Sequence, residues 1–172
     1  MIKNKNNGFS LLELIIILVI AAIITAVTIP SFKLFLVKSE DQVAESELLR
    51  AINFAKSEAV LQNAKIILSK KETWQEGYVV LNNNTILYEH EYEFQHHANN
   101  ILHWRSAIKN HDYLEFSPSG LSGMGNGTFW YCHHGELNPV WAIVLNRIGR
   151  ARSELPNSKG EIVDSEGKVL VC

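Results

Sequence analysis

Three arginines fall close together near the end of the chain: Arg147, Arg150 and Arg152, with Gly149 among them and no acid before Glu154. A guanidinium presents a planar donor fork that matches phosphate, and it stays charged at any physiological pH. Glycine lets a backbone turn and approach a polyanion closely. The chemistry this cluster suggests is contact with a phosphate backbone, which supplies affinity but reads no base sequence. The formal net charge is −2, so any anion site is a local patch and not a property of the whole surface. Arg147 should contribute less than Arg150 and Arg152, because alternation along a strand can turn it away. The plainer reading is a solvated basic loop, or a patch that docks another protein.

A second ionisable group stands where charge is costly. Glu13 lies near the start of an apolar run from Phe9 to Ile29. About 20 apolar residues in a helix cross a bilayer core, and a charge inside one costs about 2.5–3.5 kcal/mol. Such a group needs a cation at the same depth. A chain cut between Gly8 and Phe9 would place its new α-amine four residues before Glu13, at helical contact spacing. The same pair can form between neighbouring subunits.

Cys132 and Cys172 are the only cysteines. In an oxidising compartment such a pair is usually bridged. A bridge would pin the C-terminus and close a loop that contains the arginines, restraining them; two free thiols are the alternative. The histidines give little. Adjacent residues on a strand face opposite ways, so His96-His97 and His133-His134 make poor joint ligands, and no metal-binding spacing is present. Ser117 and Ser119 beside Gly120 do not make a nucleophile elbow. No phosphate-cradling loop occurs. The sequence therefore predicts no enzyme, cofactor or metal.

These groups need elements to position them. Residues 1–8 form a short leader with Lys3 and Lys5 and no acid, which keeps that end cytoplasmic. Residues 9–29 read as an apolar, membrane-spanning helix. Pro30 should kink the helix or loosen the preceding turn. The helix then continues through residues 30–62, where Ala44, Leu48, Ile52, Ala55 and Ala59 mark one face. Glu47 and Arg50 are spaced to pair weakly. Residues 63–172 read as a β-rich domain outside the membrane. Strands are expected at 65–69, 73–81, 85–88, Tyr113–Phe116, 128–132 and 140–146. Residues 89–108 should hold irregular strands and loops, and Gly123, Gly125 and Gly127 should make a flexible loop. The fold class is α+β: a long N-terminal helix followed by a mainly antiparallel sheet.

Lys3, Lys5, Gly8, Phe9, Ser10, Leu11, Leu12 and Glu13 resemble the leader and cleavage site of type IV prepilins. The resemblance implies a prepilin peptidase that cuts after Gly8 and methylates Phe9. It also implies Glu13 as the residue that registers subunits in a filament. Trp74, Gly77-Tyr78-Val79-Val80, Leu114 to Gly120 and the strand leading to Gly149-Arg150-Ala151-Arg152 are similar to the GspH/FimT family of minor pilins and pseudopilins. Within that family a C-terminal Gly-Arg-x-Arg motif implies binding of double-stranded DNA during natural transformation. The alternative it implies is a structural pseudopilin of type II secretion, or a structural or priming minor pilin. Partners implied are DNA, other major and minor pilins, the prepilin peptidase and an inner-membrane assembly platform. The implied location is the inner membrane, then a pilus or pseudopilus at the cell surface.

Overall fold

The computed structural model describes residues 10–91, 100–108, 112–164 and 167–172, apart from the side chains of residues 27–31 and 124. The leader, the junction of Gly8 with Phe9, and His96-His97 lie outside the described residues. A helix of 51 residues, α1 (Leu11–Leu61), comes first. The strands are β1 (Ile66–Lys70), β2 (Gly77–Asn82), β3 (Thr85–Glu91), β4 (Ile101–Ser106), β5 (Tyr113–Phe116), β6 (Gly127–Cys132), β7 (Trp141–Leu145) and β8 (Ala151–Glu154). The α+β class expected from the sequence is the one observed. The strands form two four-stranded antiparallel sheets, β3-β2-β1-β5 and β4-β6-β7-β8, and not one.

The chain divides into two units, Met1–Gln42 and Val43–Cys172. In the first, the described helix is apolar on every side: Leu11, Leu14, Ile17, Leu18 and Ile24 are all exposed. Such a surface calls for lipid or other helices around it. Among the described residues no helix is long and apolar enough to cross a membrane. Ser10, whose carbonyl accepts the Leu14 amide at 3.1 Å, stands at the helix start. Glu13 follows three residues later, the spacing of a capping box.

In the second unit one core gathers the helix face and both sheets. Ala44, Leu48, Ile52, Ala55 and Ala59 are buried, as the helical stripe required. Strand alternation supplies the facing residues: Ile66 and Leu68, Tyr78 and Val80, Phe129 and Tyr131, Trp141 and Ile143. Glu47 does not need Arg50; its carboxylate meets His90 Nε2 at 2.9 Å.

Three local expectations are corrected. Residues 73–76 are a turn before β2, and Trp74 is buried there because its ring meets Phe129 edge-on at 4.9 Å. The described residues within 89–108 are more regular than expected: β3 runs to Glu91, and Ile101–Ser106 pairs with β6 throughout. Gly125 and Gly127 are packed, whereas Gly123 is exposed. A Cβ at Gly127 would collide with the Arg105 carbonyl oxygen and the Trp104 ring, so glycine there permits close approach of two strands.

Candidate functional site

The arginines sit on the hairpin that joins β7 to β8. Asn146 organises its turn. The Asn146 carbonyl accepts the Gly149 amide at 3.0 Å, and its amide donates to the Arg150 carbonyl at 3.1 Å. Its side-chain Oδ1 accepts the Arg150 amide at 2.9 Å. An Asn opening a turn and a left-handed Gly closing it is a familiar pairing, and Gly149 has φ +70°.

Two other elements lock this turn from outside. Ser122 Oγ donates to the Asn146 carbonyl at 2.7 Å. Lys56 Nζ, from α1, donates to the carbonyls of Gly149 at 3.0 Å and Ile148 at 3.4 Å. Gly149 itself is buried, and a Cβ there would collide with the Gly120 carbonyl oxygen and lie 3.3 Å from the Phe116 ring. Its close approach is thus to the loop after β5, and it positions the arginines around it.

Arg147, Arg150 and Arg152 are all exposed. Arg147 lies in the turn and not on a strand, so alternation does not turn it away as expected. Ala151 packs on the core and Ser153 Oγ bonds the Glu45 carboxylate, so alternation places Arg152 on the opposite face of β8. There Arg152 Nε pairs with Glu154 at 2.9 Å. Among the described residues Arg147 and Arg150 have no acidic partner. The charge available to a ligand is therefore greatest at the turn and partly compensated on the strand. That ranking was not visible in the sequence, and neither was the support from Lys56, which lies far away in the chain.

Cys132 and Cys172 are bridged. The bridge holds a C-terminal tail over the face of β6 and β7 away from the main core. Ile162 and Leu170 pack there with Ala142 and Trp130. Trp130 Nε1 donates to the Val171 carbonyl at 3.1 Å, and Arg105 pairs with Asp164. His103 stacks on Trp130, and burial pushes its imidazole below its ordinary pKa, so it is neutral at pH 7. Among the described residues no group of His, Cys, Asp and Glu is arranged to hold a metal.

Comparison with known proteins places this geometry. A family model described as "Type II transport protein GspH" matches residues 44–149, and one described as "Prokaryotic N-terminal methylation motif" matches residues 3–29. The first match ends at Gly149, so Arg150 and Arg152 lie beyond it. The fold is similar to two crystal structures of the type IV minor pilin FimU of Pseudomonas aeruginosa, each 23% identical. One has a TM-score of 0.55 and covers 77% of this chain and 94% of that one. The other has a TM-score of 0.51 and covers 66% and 91%. No curated protein matches.

Proposed function

This chain belongs to the GspH family of minor pilins and pseudopilins, and we propose that it is a minor type IV pilin that binds extracellular double-stranded DNA through the β7–β8 hairpin. The family is one of structural proteins, and the chain is not an enzyme. The observation that carries the DNA reading is the turn itself. It holds Arg147 and Arg150 exposed and, among the described residues, without acidic partners, on a backbone fixed by Asn146, Ser122 and Lys56. A rigid cationic turn loses little entropy on meeting a phosphate backbone. One such turn binds weakly, and several subunits or neighbouring basic pilins on a filament raise the affinity by avidity.

The test uses the full chain in detergent. Replacing Arg147 and Arg150 together by Gln is expected to remove most duplex binding. The log–log salt slope should flatten by up to about 1.8, since each phosphate contact contributes about 0.9. Glu154→Gln should have the opposite effect and tighten binding, because it releases Arg152 from its ion pair. Unchanged binding in both variants, with unchanged melting, would reject the DNA reading.

The second reading is a structural pseudopilin of type II secretion, favoured by the description of the matching family model and by its end at Gly149. It predicts that the arginine variants bind DNA no worse but fail to enter their filament.

In either machine we place the precursor in the inner membrane with residues 1–8 in the cytoplasm, cut after Gly8 and methylated on Phe9. The methylation-motif match over residues 3–29 supports this. Glu13 then pairs with the Phe9 amine of a neighbouring subunit. Glu13→Ala should abolish incorporation into filaments, and Glu13→Gln should too. Gln keeps the length and polarity of the side chain but not its charge. Normal incorporation of the Gln variant, measured in sheared filaments, would refute the registry role.

A further inference from the structure

Ile148 stands inside the arginine turn and is 62% exposed. Its backbone is held, because Lys56 Nζ takes its carbonyl and the next one, and Gly149 is seated against Gly120. A β-branched side chain has few rotamers to lose. The turn therefore holds a stiff apolar group outward, beside Arg147 on one side and Arg150 two residues on. Nothing in the core requires it there, since its exposed surface contributes little to stability. Proteins that enter the minor groove use this combination: an apolar wedge, often Ile, Leu or Phe, which unstacks a base step while basic residues hold the groove. Arginines are drawn to a narrow A·T-rich minor groove by its negative potential.

We propose that Ile148 is an apolar wedge that enters duplex DNA from the minor groove, between base steps, while Arg147 and Arg150 engage the flanking backbone. This rests on the DNA-binding reading above and goes beyond simple phosphate contact. A wedge selects by deformability. TA steps unstack easily and G·C-only sequence does not. Binding should therefore favour TA-rich duplexes without any base-edge hydrogen bond, and it should bend the DNA.

The experiment measures anisotropy and end-to-end fluorescence transfer on two short duplexes, one rich in TA steps and one of G·C pairs only. The full chain in detergent is the binder. Wild type is expected to bind the TA-rich duplex several-fold more tightly and to bend it. Ile148→Ser should lose about tenfold on that duplex, the scale of one withdrawn apolar side chain, and should lose both the preference and the bend. Ile148→Met, which keeps apolar bulk, should retain them. Arg150→Gln with Arg152→Gln should weaken both duplexes alike. The wedge is overturned if wild type binds without bending or preference, or if Ile148→Ser binds and bends as wild type does. It is also overturned if Ile148→Ser leaves DNA binding intact but drops out of filaments, which would make Ile148 a pilin contact. Wild type that binds neither duplex defeats the DNA reading itself, a result distinct from all of these.

Discussion

Replacing Gly149 by alanine is expected to destabilise the domain by about 3 kcal/mol and to lower its melting temperature by roughly 10–15 °C. Two costs combine. The φ of +70° is left-handed, and an L side chain there costs about 1–2 kcal/mol. The new Cβ would also collide with the Gly120 carbonyl oxygen and lie 3.3 Å from the Phe116 ring. Backbone cannot yield as a flexible side chain does, so the turn must lift from the loop after β5. Lys56 would then lose one or both of its carbonyl acceptors. Gly135→Ala separates the two costs: Gly135 has φ +80°, and nothing lies within 4 Å of a Cβ placed there. It should bear the backbone cost alone and melt roughly 4–8 °C below wild type. Equal losses in the two variants would mean that conformation alone matters and that the contact with Gly120 does not fix the turn. DNA binding by folded Gly149→Ala should also fall, although no charge has been removed.

This turn shows how much of the site was legible in the sequence. The residue types were legible. Three arginines beside a glycine suggest anion chemistry, whereas Asn146 was read as the end of a strand and not as the residue that opens the turn. Their relative importance was not. Arg147 escapes the alternation rule because β7 ends at Leu145, and strand ends are set by pairing across the sheet. Arg152 loses part of its charge to Glu154 because residues two apart on a strand share a face. Lys56 reaches the turn across 93 residues of chain, and no local pattern encodes such a contact.

The fold shows the same division. The helical stripe from Ala44 to Ala59 was read correctly because helix periodicity is local. The glycines at 125 and 127 were read as flexibility. What they provide is room: Gly125 abuts the Glu115 backbone, and Gly127 abuts the strand that carries Trp104 and Arg105. Composition cannot separate a glycine that frees the chain from one that lets two backbones touch. The β4 strand was expected only within a run of irregular strands and loops because its residues, Ile-Leu-His-Trp-Arg-Ser, carry polar groups on one face. Those groups, His103 and Arg105, are what meets Trp130 under the tail.

Removing the bridge, by Cys132→Ser together with Cys172→Ser, should cost up to about 4 kcal/mol, since it frees a loop with a sequence separation of 40 from its constraint in the unfolded chain. Melting should fall by roughly 15 °C. The double variant avoids leaving a lone thiol. The tail should still dock below the transition. Ile162 and Leu170 remain against Ala142, Arg105 keeps Asp164, and Trp130 keeps the Val171 carbonyl. The arginine turn should be untouched, for its own anchors are Asn146, Ser122 and Lys56, none of which belongs to the tail. Stability and DNA binding are therefore expected to separate: a large loss in melting temperature, and wild-type affinity at temperatures where the variant is folded. A fall in affinity that tracks tail release, read as new protease sensitivity within 155–172 while the rest stays folded, would show instead that the bridge holds the arginines in place. That was the sequence-based expectation, and the anchoring of the turn from α1 and from Ser122 argues against it.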